Sequence, residues 1–342
     1  MKHLICRSLI IFFLFAWSVR GLAADADKPV PSIANSIGMR LVKIPAGAFL
    51  MGNHEASEEM PKSFPQYEAD RFQLNDEYPV HKVRITHPFY MGVYVVTIGE
   101  FRKFVDDAHY ATDAERNDDI SSPPDSDSKR SGFGGYGYNR ETGKLDEQRN
   151  PKVNWREVGF PQTDRHPVTN VSWNDAVAFC KWLSDKEKKT YRLPTEAEWE
   201  YGCRAGGTTR FYAGDDPELL VTIANSYDQS TAKVDPDWSK FALKGNDGFS
   251  FTAPVGSFTP NKFGLYDMHG NVWQWVSDRY GADYYAHSPV DDPQGPETGG
   301  KRVRRGGGWA TWAFYCRSSF RNFNTPQSRY FNLGFRVVLE DR

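Results

Sequence analysis

From Cys203 to the C-terminus the chain has almost no helical period. Its apolar residues fall in short runs separated by Gly, Pro, Asn and Asp. Such a chain cannot build its core from long helices, so its side chains must be buried under loops tied by short strands. Three upstream segments carry a helix start of one form, a hydroxyl residue followed three positions later by an acid. They are Thr97 with Glu100, Ser172 with Asp175, and Thr195 with Glu198. After the second, Ala176, Phe179, Cys180 and Leu183 recur at i, i+3, i+4 and i+7, which predicts a buried face. The pattern predicts one irregular α+β domain without internal repeats.

Leu41 to Ile44 and Phe49 to Met51 flank a Pro45-Ala46-Gly47 turn and predict a strand pair. A further alternating strand is predicted at His81 to Ile85. Between about 112 and 165 the chain is rich in Asp, Ser, Pro, Gly and Asn, which predicts a long polar insertion on the surface. Gly132 to Gly137 spells G-x-G-x-x-G. No strand pattern precedes it and no helix pattern follows, so a dinucleotide site is not expected.

Apolar residues at 39%, with 29 glycines, sit at the level of soluble globular proteins. Mean hydropathy is −0.63, against both a polytopic membrane protein and a disordered chain. The formal charge of −2 supplies no general attraction to nucleic acid, and no nucleic-acid partner is expected.

The start of the chain reads as an export signal. Lys2 and Arg7 precede an apolar run from Leu9 to Val19, and Ala24-Asp25-Ala26 offers a small-residue cleavage pattern. Residues 1–24 are therefore expected to be removed, leaving no membrane span and a periplasmic or extracellular protein. Cys180, Cys203 and Cys316 remain. An odd number means one bridge and one thiol, or three buried thiols. No Cys-x-x-Cys or Cys/His cluster suggests structural zinc.

Several motifs, in order, carry a resemblance. They are Ile44-Pro45-Ala46-Gly47, His166-Pro167-Val168, Val171-Ser172-Trp173-Asn174-Asp175 and Arg192-Leu193-Pro194-Thr195-Glu196-Ala197-Glu198-Trp199-Glu200. Gly264-Leu265-Tyr266-Asp267-Met268-His269-Gly270-Asn271-Val272-Trp273, Arg305-Gly306-Gly307-Gly308-Trp309 and Asn332-Leu333-Gly334-Phe335-Arg336 follow. Together they resemble the formylglycine-generating enzyme (sulfatase-modifying factor) superfamily, over residues 35–342. The resemblance implies a C-type-lectin-like fold. It does not by itself assign chemistry, because similar domains include a copper-dependent oxidase of sulfatase cysteines, ergothioneine-type sulfoxide synthases, a siderophore maturation factor and non-catalytic paralogues.

The resemblance also implies sites. The oxidase holds Cu(I) between two cysteines five residues apart, shortly after a Gly-Gly-Ser segment. Counting from Gly306-Gly307, these positions are Thr311 and Cys316; counting back from Asn324-Thr325-Pro326, Cys316 falls in the following strand. Either count leaves at most one thiolate, and a threonine hydroxyl is a poor Cu(I) ligand, so copper is not expected. Thr311 and Cys316 remain the catalytic candidates. The resemblance puts Cys203 at a cysteine position that pairs with the Cys316 strand, implying a Cys203–Cys316 disulfide or two buried thiols. Cys180 is left as an unpaired core cysteine.

Two calcium sets are implied as well. One comprises Asn225, Ser226, Asp247 and Phe249; the other comprises Asp267, Gly270, Val272 and Gln274. Each offers the hard side-chain and carbonyl oxygens that calcium requires; Gln274 stands where the oxidase has a glutamate, offset in formal charge by Asp267 where it has an asparagine. The implied substrate groove involves Trp273, Gly308 and Arg321, with Thr311 beside them. Its occupant would be an unidentified protein, peptide or small molecule. These expectations describe an exported, calcium-stabilised binding or maturation factor, or an uncharacterised oxidase, without the copper dithiolate. The alternative is true conversion of a sulfatase cysteine to formylglycine.

Overall fold

In a computed structural model that describes residues 30–67, 74–116 and 134–341, the two ends of the domain meet in one sheet. That sheet has five short strands, in the order Ser32–Ala34, Arg40–Ile44, Phe89–Gly92, Val338–Glu340 and Tyr191–Arg192. All its pairings are antiparallel, with Val42 opposite Met91 and Val338 between Met91 and Arg192. A four-stranded sheet runs Asn322–Asn324, Arg302–Arg305, Trp273–Arg279 and Leu333–Phe335, the last pair parallel. Residues from Pro31 onward form one unit. The expected signal segment lies outside the described residues.

The helix starts come out as predicted. Thr97, Ser172 and Thr195 each cap a helix in a reciprocal box, opening Ile98–Ala108, Trp173–Glu187 and Glu196–Arg204. Each box satisfies two helix-terminal groups locally, so it forms wherever the sequence places it. The predicted strand pair is different. Arg40–Ile44 pairs with Ser32–Ala34 and Phe89–Gly92, whereas Gly47–Met51 pairs with His81–Ile85. The turn at Pro45 to Gly47 thus passes the chain between sheets instead of closing a hairpin.

The polar insertion is not all surface. Its described part carries Tyr136, Val153, Trp155, Val158 and Phe160 into the interior, and Trp155 packs edge-on against Phe101 at 5.2 Å. Phe104, Phe179, Leu183, Trp275 and Phe335 belong to the same cluster. A second cluster gathers Val42, Ile44, Met91, Trp199, Leu265, Met268 and Val276 between the sheets.

Loops cover much of both clusters, and buried arginines fasten them. Arg317 donates to both oxygens of Glu77, at 2.9 and 2.7 Å, with both side chains fully buried. Arg305 pairs with Glu200 and donates to the carbonyls of Ser318 and Ser319. Removing one member of such a pair strands a buried charge, at a cost of about 3–5 kcal/mol.

Candidate functional site

The strand Arg302–Arg305 ends in Gly306 and Gly307, both with positive φ, and the chain doubles back over Cys316. A Cβ on Gly307 would lie 2.4 Å from Cys316 Sγ, so only glycine allows this approach. Gly308 is held against Asn332 and the Asn271 carbonyl. Three residues on, Thr311 Oγ1 accepts the indole N–H of Trp273 at 3.1 Å. The structure therefore brings Trp273, Gly308, Thr311 and Cys316 together.

Cys316 ends a short 3-10 turn, Ala313–Cys316, where a strand was expected. Its sulfur lies 3.8 Å from the Thr311 carbonyl, and burial pushes its thiol pKa up to about 12. A thiol in that state is a poor nucleophile. Cys203 is also free and buried. Its sulfur faces Ser318 Oγ at 3.7 Å and the His269 ring at 3.8 Å. The residue of this segment that meets Cys203 is thus Ser318, and the implied Cys203–Cys316 bridge is not formed. Cys180 is a free thiol inside the helix core.

Arg321 does not line an open groove. It is 3% exposed and donates to both oxygens of Glu196, at 2.8 and 2.9 Å, and to the Asp76 and Gly281 carbonyls. Its guanidinium also lies 4.2 Å from the centre of the Tyr285 ring. All these contacts leave little for a ligand. The arginine beside Trp273 is Arg304, whose guanidinium stands 4.8 Å over the indole. Strand alternation signals it, since Arg302 and Arg304 are half-buried while Val303 and Arg305 are buried. Trp273 itself is 4% exposed and acts as a wall packed on Phe320. Two surface clefts, of about 390 and 470 Å³, include none of Trp273, Gly308 and Thr311 in their linings.

The calcium sets differ in their chemistry. Around Asn225 the side-chain oxygens Asn225 Oδ1 and Ser226 Oγ are buried without a hydrogen-bond partner. Asp247 accepts the N–H groups of Ser226 at 3.0 Å and Phe249 at 2.8 Å, closing the loop around them. Asp228, which sequence reasoning did not single out, accepts the Asp247 N–H. Burial, with the Asp228 charge beside it, raises the Asp247 carboxyl pKa to about 7. One buried acid, Asp228, one half-buried acid, Asp247, and two orphaned oxygens suit a hard cation.

Around Asp267 the oxygens are taken. Gly256 N–H and Asn271 Nδ2 donate to its carboxylate, at 3.0 and 3.2 Å. Gln274 Oε1 accepts from Trp199 Nε1 at 3.0 Å and from Arg336 Nε at 3.1 Å, while its amide donates to the Asp267 carbonyl at 2.7 Å.

The sulfatase-modifying factor enzyme 1-like domain family matches residues 28–341. The chain belongs to this family. It is 35% identical over 335 residues to the formylglycine-generating enzyme of Bos taurus, covering 93% of this chain and 79% of that one. It is 30% identical over 326 residues to the inactive C-alpha-formylglycine-generating enzyme 2 of Mus musculus, covering 87% and 85%. The structure of PvdO from Pseudomonas aeruginosa superposes with a TM-score of 0.66 at 30% identity, covering 92% of this chain and all of that one. The fold is accordingly the C-type-lectin-like fold of the formylglycine-generating-enzyme family. Relatives named for the activity and one named as inactive both lie at this level of identity, so the site must decide.

The site does not fit the copper of the family's oxidases. Near Thr311 the described residues offer one thiol, Cys316, packed beneath Gly307. The Thr311 hydroxyl already accepts from Trp273. Two soft thiolates cannot be assembled there.

Proposed function

We propose that this chain is an exported, calcium-binding member of the formylglycine-generating-enzyme family that acts as a binding or maturation factor and not through a copper dithiolate. Its ligand, a protein, a peptide or a small molecule, is received at the half-buried Arg304, beside the buried Trp273, Gly308 and Thr311. Calcium at the Asn225 loop has a structural role. The single observation that carries the reading is that Thr311 stands at the partner position with its hydroxyl accepting from Trp273, which leaves Cys316, buried beneath Gly307, without a second thiol beside it among the described residues.

The second reading, conversion of a sulfatase cysteine to formylglycine, is favoured by the 35% identity to the bovine enzyme. It would require some replacement for the missing thiolate. Anaerobic Cu(I) titration against a competing chelator separates the two. Absence of tight Cu(I) binding by the full-length protein supports the proposal, and stoichiometric tight binding abolished by Cys316→Ser overturns it.

A further inference from the structure

Resting on the calcium reading above, we infer that this chain binds one calcium ion, not two, because the side-chain oxygens at the second family position, those of Asp267 and Gln274, are already held by hydrogen-bond donors of the chain itself. The Asp267 loop and the strand Trp273–Arg279 meet over a guanidinium. Arg336 is fully buried and donates to Gln274 Oε1, to the Gly92 carbonyl and to the Tyr266 carbonyl.

A calcium ion at this place would have to win oxygens that are already engaged. Gln274 would break bonds to Trp199 and Arg336, and its amide would leave the Asp267 carbonyl. The ion would also sit beside a fixed cation in a buried site, with the Asp267 carboxylate as the set's lone negative charge. Repulsion at short range in such surroundings is severe.

The Asn225 loop is the opposite case. Asp228 and Asp247 bring two carboxyl groups to one loop, and among the described residues no Lys or Arg forms an ion pair with them. Asn225 Oδ1 and Ser226 Oγ, both in fully buried residues, lack partners. A divalent cation satisfies both deficits there. At Asp267 it satisfies none.

Stoichiometry decides the matter. The full-length protein is stripped with chelator, dialysed against calcium and assayed by elemental analysis and by calcium titration calorimetry. One calcium per chain is expected, lost in Asp247→Asn and retained in Gln274→Glu and Asp267→Asn. Gln274→Glu keeps the test valid if Asp267→Asn does not fold, since it preserves side-chain size and gives Arg336 a charged partner in exchange for the amide that donates to the Asp267 carbonyl. Two calcium ions per chain, or loss of the bound ion in folded Gln274→Glu, would overturn the one-site inference while leaving calcium binding intact. No calcium in the wild-type protein would overturn the calcium reading itself and this inference with it.

Discussion

Arg321 grips both carboxylate oxygens of Glu196, at 2.8 and 2.9 Å, across 125 positions of sequence. The pair ties the loop before Asn322–Asn324 to the first turn of the helix Glu196–Arg204. It sits beside Arg305, so three charges share one buried space. Arg321→Ala leaves Glu196 short of a partner, and the expected loss in unfolding free energy is about 3–5 kcal/mol. Urea denaturation followed by tryptophan fluorescence measures it. A change within about 0.5 kcal/mol, the range of ordinary surface substitutions, would contradict the structural role.

The thiols should be silent in the native protein. Cys203 and Cys316 are fully buried, and burial pushes each pKa up to about 12; Cys180 is buried as well, and its pKa is raised further. At pH 8 the thiolate fraction is negligible, so alkylation by iodoacetamide is expected to be slow until the chain unfolds. Peptide mapping by mass spectrometry should find all three labelled in denaturant and unlabelled without it. Rapid native labelling of Cys316 would show that it is reachable.

Asp278 gives a pH dependence with a definite sign. Its carboxylate accepts the Glu196 N–H at 2.8 Å, and burial together with the Glu196 charge raises its pKa to about 7. Between about pH 4 and 7 the native state holds a proton that the unfolded chain has released, so this group's contribution to stability falls as pH rises through that window. Asp278→Asn keeps the acceptor and removes the charge. The variant should gain on wild type from pH 4 to 7 and hold a constant advantage above, as read from paired urea midpoints. A parallel pair of pH profiles would refute the assignment.

Calcium removal should be visible in melting. A ligand held only by the native state adds about 2.7 kcal/mol at a hundredfold excess over Kd. The wild-type Tm is expected to drop in chelator and to recover with calcium, whereas Asp247→Ala should melt at one temperature in both. Superimposable wild-type curves with and without chelator would count against the Asn225 site.

The sequence displays whatever is local. A capping box spans four residues, so Thr97, Ser172 and Thr195 announce their helices directly. The exchange of partners by Arg40–Ile44 and Gly47–Met51 is invisible, because the same alternation serves a hairpin or two separate sheets. Trp155 lies in a stretch whose composition is polar, yet one aromatic there reaches Phe101. The motif positions Trp273, Gly308, Thr311 and Cys316 were legible as a group. The fate of Arg321 was not, since it depends on a carboxylate placed by another part of the fold. Arg336 stood in view within Gly334-Phe335-Arg336, but only the packed structure puts its guanidinium against Gln274.

The account stands or falls on the missing dithiolate, and peptide turnover tests that most directly. A Cys-x-Pro-x-Arg peptide is incubated in air with the full-length protein and copper, beside an active family oxidase as positive control, and its mass is followed. The account predicts an unchanged peptide here and full conversion in the control. Loss of the peptide thiol with gain of the aldehyde, dependent on this protein and on copper, would contradict it.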